Sequence, residues 1–134
     1  MSDPQSPAGQ AEDLLAAFIA ALTNLQTEVS KSTLDGRSLQ QQFLATQQLY
    51  QQQLLPTLAL SPSAAALVGY QTEISRALRL LGMDVAFLQS AKNALTQQKR
   101  QVQMQERLKT LLDFGRGLQD AFISSESDSN GSDS

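Results

Sequence analysis

The sequence predicts an all-α protein, an antiparallel up-down-up-down four-helix bundle made of two αα-hairpins, with disordered termini. Apolar residues recur every three or four positions over four separate segments, which is the spacing of one helix face. Turn-forming residues separate these segments, and folding the chain back at the turns brings apolar seams face to face. The 134 residues are enough for one domain with a core of its own.

The first hairpin is predicted from residues 10 to 55. Its helices are expected at about 10–31 and about 36–55, separated by a turn in which Asp35 is the N-cap of the second helix. Pro56 is expected to end that helix, because the residue before a proline avoids the α region and proline donates no hydrogen bond. The expected seams, which place Phe18 opposite Tyr50, are Leu14, Phe18, Leu22, Leu25 and Val29, facing Leu39, Phe43, Thr46, Tyr50 and Leu54.

The second hairpin is predicted to begin at Ser61-Pro62, where a serine N-cap precedes a proline in the first turn. Its first helix should reach about Lys92, and its second should run from a turn at 93–96, with Thr96 as N-cap, to about Phe122. Gly115 is expected opposite Ile74, where the missing side chain lets the helices approach. The expected seams are Leu67, Ile74, Leu78, Leu81 and Val85, facing Met104, Leu108, Leu111, Gly115 and Phe122.

Three regions divide the chain. Residues 1–9 are expected to be a disordered lead, residues 10–123 the bundle domain, and residues 124–134 a disordered acidic, Ser-rich tail. The tail, SSESDSNGSDS, contains no apolar residue, so it cannot bury enough surface to order itself.

Composition excludes most kinds of chemistry. The chain has no Cys and no His, so it lacks thiolate ligands, thiol nucleophiles and the commonest general base. No phosphate-binding glycine motif occurs, and we predict that the protein is not an enzyme and holds no cofactor or metal. A net charge of −3 without a basic stripe argues against nucleic acid and anionic membranes as partners. The N-terminus does not resemble a signal peptide, so a cytoplasmic location is expected.

The third segment carries more apolar surface than one seam requires. Its second stripe comprises Ala77, Leu80, Phe87 and Ala91, with Met83 beside it. The simpler interpretation is that the first hairpin covers this stripe and closes the bundle. The alternative is that part of the stripe remains open as a groove for a partner helix or for a second copy of the chain.

An acidic residue, Asp84, lies inside that second stripe and needs a partner if it is buried. Arg107 occupies the matching position of the fourth segment, so a structural ion pair that fixes the register is the favoured interpretation. The alternative is that Asp84 contacts a partner directly. The candidate partner-binding residues are therefore Arg79, Leu80, Met83, Asp84 and Phe87.

Residues 70–122 carry a distinctive pattern, with QTEI at 71–74, RLLGMDVAFLQSAK at 79–92, QKR at 98–100 and a final segment rich in Gln and Arg. This pattern resembles the PatD family of cyanobacteria, whereas the first hairpin matches it only loosely. The resemblance implies a small helical regulator of heterocyst frequency that binds the tubulin-like division protein FtsZ and modulates its assembly. Gly82, the Gln-rich second segment and the acidic tail depart from the family pattern.

Three functions compete at this point. The first is a protein-binding regulator of cell division of the PatD type. The second is a self-assembling structural or adaptor protein whose third helix forms a homo-oligomer interface. The third is a sensor that holds a small apolar ligand between its helices.

Overall fold

The computed structural model describes residues 7–131, and the side chains of residues 8–126 within them. The helices are α1 (Pro7–Val29), α2 (Gly36–Gln48), a π-helical segment (Leu49–Leu54), α3 (Leu55–Ala59), α4 (Ala64–Gln89) and α5 (Ala94–Gly131). Because α2, the π-helical segment and α3 follow one another without a break, they form one arm. The described residues thus form four helical arms, which confirms the all-α four-helix fold.

Each arm packs against two others. Helix α1 contacts α2 and α5, and α4 contacts the same two helices from the other side. Individual contacts agree with the predicted pairing of the helices in each hairpin. In the second hairpin, an added Cβ at Gly117 would meet the ring of Tyr70, and Arg107 is paired with Asp84. In the first, the ring centroids of Phe18 and Tyr50 are 5.0 Å apart, as the predicted pairing requires.

The predicted seams form the core, with one correction. Every predicted seam residue of the second, third and fourth segments is buried. In α1, however, Leu15 is fully buried with Ala11, whereas Leu14 is only partly buried against the core. The buried residues of α1 alternate in steps of four and three, as Ala11, Leu15, Phe18, Leu22, Leu25 and Val29, and the choice of Leu14 interrupted this alternation.

The prediction that Pro56 ends the second helix is wrong, because the helix continues to Ala59. The π-helical segment changes the hydrogen-bond register immediately before the proline. Pro56 then lies in the first turn of α3, where a backbone N–H needs no partner within the helix.

Of the three N-caps predicted from the sequence, the structure confirms one. The Asp35 carboxylate accepts hydrogen bonds from the amides of Arg37 and Ser38, at 3.1 and 3.4 Å, and caps α2 as predicted.

Helix α4 begins at Ala64 rather than at Pro62, because Ser61 and Pro62 belong to the preceding turn. Helix α5 begins at Ala94, and the Asn93 side chain accepts from the Thr96 amide at 2.8 Å. The cap is therefore Asn93 and not Thr96, consistent with the stronger capping preference of Asn.

Helix α1 begins earlier, and helix α5 ends later, than the sequence predicts. Helix α1 begins at Pro7, a residue whose fixed backbone suits a first helical position. Helix α5 continues past Phe122 to Gly131, so most of the expected disordered tail is described as helix. Extending an existing helix adds one hydrogen bond for each residue fixed and requires no apolar burial. Residues 1–6 and 132–134, also predicted to be disordered, lie outside the described residues.

Candidate partner-binding surface

The outer side of α4 carries an apolar strip that the bundle leaves uncovered. Leu80 is partly buried, whereas Met83 and Phe87 are 49% and 45% exposed. Spacings of three and four residues place these side chains on one helix face, and we call Leu80, Met83 and Phe87 the apolar strip. The expectation that the first hairpin covers the second stripe is therefore wrong for Met83 and Phe87. The neighbouring arms instead bury Leu81, Val85 and Leu88, which lie on the opposite side of α4.

The strip continues into a groove between α4 and α5. This α4–α5 groove encloses about 410 Å³. Ala77, Leu80 and Phe114 supply its apolar lining. Its polar lining includes Glu73, Arg76, Gln103, Glu106, Arg107 and Thr110. The groove is thus a concave, mixed apolar and charged surface between two helices.

Asp84 lies beneath this surface rather than on it. The residue is 3% exposed, and its Oδ2 accepts a hydrogen bond from Arg107 Nε at 2.5 Å. The arginine side chain is 22% exposed and lines the groove. The structure therefore contains the predicted ion pair between α4 and α5, and Asp84 is buried away from a partner. Sliding α4 along α5 would separate this ion pair, so the pair opposes a change of register between the two helices.

A second contact joins the helices closer to the hairpin turn. The Arg100 guanidinium lies over the Phe87 ring, 4.6 Å from its centroid, which is cation–π geometry. An Nη1 proton of Arg100 is also donated to Gln103 Oε1 at 3.3 Å. Phe87 remains 45% exposed despite this cover. The arginine is therefore held beside an aromatic surface that a partner can reach.

Arg79, the remaining candidate, is separated from the apolar strip. It is exposed and lines a different depression, which it shares with Leu55 and Val68 on the side of α4 nearest α3. Of the five candidates, the structure therefore brings together Leu80, Met83 and Phe87. It places Asp84 below them and Arg79 on another side of the helix.

The list of candidate partner-binding residues omitted those that α5 contributes, although the register that matches Asp84 with Arg107 also pairs Ala77 with Phe114. Arg100 covers Phe87, and Phe114 lines the groove opposite Ala77 and Leu80. The register that matches Asp84 with Arg107 places Arg100 opposite Ala91, one helical turn from Phe87. The sequence therefore located Arg100 near the strip, but not over the Phe87 ring.

Among the described side chains, residues 8–126, the two residues with clearly shifted pKa values lie elsewhere in the bundle. A hydrogen bond from Lys31 lowers the pKa of Glu28, with smaller contributions from Gln42 and Ser38. Burial raises the pKa of Tyr50, whose hydroxyl donates to the Gln71 carbonyl at 3.1 Å. Both groups join arms of the bundle. Their placement indicates a structural role rather than a reactive site.

Within residues 7–131, no group of three or more acidic side chains could hold a metal ion. No helix there combines the length and apolar character needed to cross a bilayer. No protein-family model, curated protein or solved structure matches this chain. The resemblance to the PatD family therefore stays a prediction.

Proposed function

We propose that this protein is a non-enzymatic regulator that binds another protein through the apolar strip and the α4–α5 groove. The observation that carries the proposal is the exposure of Met83 and Phe87 at nearly half of their surface, next to a concave groove. Contiguous apolar surface rimmed by polar side chains is typical of protein-binding sites. The Asp84–Arg107 ion pair and the Phe87–Arg100 contact join α4 and α5 without a partner, so the surface is expected to change little on binding.

The partner that we propose is FtsZ. The support is the resemblance of residues 70–122 to the PatD family, and these residues include both helices of the surface. Binding would modulate FtsZ assembly and so influence cell division and, where heterocysts are made, their frequency. Such a protein would act in the cytoplasm.

Sedimentation of assembled FtsZ with this protein tests the proposal. We expect the wild-type chain to sediment with FtsZ, and Phe87→Glu to weaken that binding by at least about tenfold, because the variant loses the apolar ring and places a charged group in the interface. Val68→Glu is the matched control, since Val68 lies on the same helix and is 53% exposed, but outside the strip and groove. Equal binding by both variants would contradict the assignment of the surface. Absence of binding by the wild type would contradict FtsZ as the partner.

A second copy of the chain is the competing occupant, because the same exposed strip could form a homo-oligomer interface. Measuring the mass in solution over a range of concentrations separates the two cases. A monomer at the concentrations that bind FtsZ supports the regulator. A dimer that Phe87→Glu dissociates and Val68→Glu does not would support self-assembly.

A further inference from the structure

The hairpin end that carries the apolar strip is the basic part of an acidic chain. Residues 79–107 contain five Lys or Arg and two Asp or Glu, a net charge of +3. The rest of the chain contains five basic and eleven acidic residues, a net charge of −6. Between Asp84 and Glu106 there is no acidic residue, but there are three basic ones, Lys92, Lys99 and Arg100.

These charges are available to a partner. Asp84 is already paired with Arg107, so it does not neutralise the others. Within the part of the chain whose side chains are described, no ion pair joins Lys99 or Arg100 to a carboxylate. The contacts of Arg100 with Phe87 and Gln103 restrict its guanidinium before binding, so less side-chain entropy is lost when a ligand arrives. A guanidinium offers a planar fork of N–H donors that fits a carboxylate.

We infer that Leu80, Met83 and Phe87, together with Arg100 and the adjacent exposed Lys99, bind an acidic amphipathic helix of the partner protein. This inference rests on the proposed function and specifies the chemistry of the partner. The strip covers two helical turns, about 10 Å, which matches apolar residues at positions i, i+3 or i+4, and i+7 of a docked helix. Carboxylates beside those apolar residues would then meet the basic side chains of α5.

Charge favours an acidic protein segment over other polyanions. Binding to anionic lipid through charge alone uses clusters of four to eight cations, and duplex DNA affinity depends on many phosphate contacts. The uninterrupted basic stretch supplies three cations, and the remainder of the chain, at −6, repels an extended anionic surface. A short acidic helix needs only a few cations and an apolar strip, and both are present.

The test uses the full chain and a fluorescent peptide of about 20 residues, built from Ala, with Leu at i, i+3 and i+7 and Glu beside each Leu. A Glu→Gln version of the peptide has the same apolar face without the charge. We expect the acidic peptide to bind at least about tenfold more tightly than the neutral one, and more weakly as salt is raised. The Lys99→Gln/Arg100→Gln variant should lose at least about tenfold in affinity for the acidic peptide. Lys109→Gln/Arg116→Gln, an equal charge change at exposed positions of the same helix, should change it by less than about twofold.

Four results would overturn the inference. The first is equal affinity for the acidic and the neutral peptide, and the second is an equal loss of peptide affinity in the two double variants. The third is tighter binding of phosphatidylserine vesicles or of an oligonucleotide than of the acidic peptide. The fourth is displacement of the bound peptide by a second copy of the chain. The outcome for FtsZ is separate. If the chain binds FtsZ but not the acidic peptide, this inference alone is wrong. If the chain binds the acidic peptide but not FtsZ, FtsZ is not the partner.

Discussion

Two glycines on the second hairpin differ in what surrounds them. A Cβ added at Gly117 would lie 2.6 Å from Cε1 of Tyr70, so the ring would have to move. A Cβ added at Gly69 would meet nothing within 4 Å. Both positions lie inside helices, where alanine is favoured over glycine by about 1 kcal/mol. Close approach of the helices therefore depends on Gly117 and not on Gly69.

We accordingly expect Gly69→Ala to stabilise the protein by about 0.5–1 kcal/mol. Gly117→Ala should destabilise it by about 1 kcal/mol, since overpacking against Tyr70 costs more than the gain in helix propensity. Urea unfolding of both variants measures the difference. Equal stabilisation of both would mean that the Tyr70 ring moves aside at no cost.

The Asp84–Arg107 pair leads to an asymmetric prediction. Arg107→Ala leaves a carboxylate that is 4% exposed without its partner, and should cost about 3–5 kcal/mol. Asp84→Ala leaves an arginine that is 22% exposed and can reach water, and should cost about 1–2 kcal/mol. Replacing both residues with Leu and Met should recover part of the loss, with a coupling energy of about 1–3 kcal/mol. Additive effects of the single changes would show that the pair contributes little.

Gly115 and Gly82 show where residue-level prediction from sequence fails. Gly115 was expected to face Ile74. A Cβ added at Gly115 would instead lie 3.7 Å from side-chain carbons of Ile19 and Leu22 in α1. At Gly82 a Cβ would lie 3.0 Å from the tip of the Phe43 ring, so this departure from the PatD pattern accommodates Phe43. A hairpin register predicts which residues face each other within one pair of helices. It does not predict which residues meet the other hairpin.

At the scale of elements, the irregular second arm is held by Tyr50. This residue lies in the π-helical segment, is fully buried, and joins the segment to α1 through Phe18 and to α4 through the Gln71 carbonyl. The sequence predicted its burial from periodicity, because the core stripe continues across the segment. It did not predict the π-helical register, since Pro56 indicated a helix end.

Tyr50→Phe should cost about 0.5–1.5 kcal/mol at neutral pH through the lost hydrogen bond. It should also change the response to alkali. Burial raises the folded-state pKa of Tyr50 above its ordinary value of 10.0, so the unfolded state releases the proton first. The contribution of Tyr50 to stability is therefore complete below pH 10 and is lost as pH rises from there through the folded pKa. Stability measured by urea unfolding between pH 9 and 11 should fall more steeply for the wild type than for Tyr50→Phe, and parallel curves would contradict this.

At the scale of the whole molecule, the fold could be predicted because each arm carries its own periodic pattern. Turn residues then limited how the arms could connect. The candidate surface was only partly predictable. Apolar spacing identified Leu80, Met83 and Phe87, but their exposure depends on how far the first hairpin reaches around α4. The hairpin register located Arg100 only to within one helical turn of Phe87, because the contact depends on how the arginine side chain extends.

The shared core gives a last prediction, for the molecule as one folding unit. Leu81 is 1% exposed in a core to which all four arms contribute, and Leu81→Ala should cost about 2–5 kcal/mol. Val68→Ala, on the same helix at a residue that is 53% exposed, should change stability by less than about 0.5 kcal/mol. In both variants, unfolding followed by far-UV circular dichroism and by tyrosine fluorescence should coincide, because Tyr50 contacts both hairpins. Two separate transitions, or a Leu81→Ala cost as small as that of Val68→Ala, would mean that the hairpins fold independently and that the α4 seam does not hold them together.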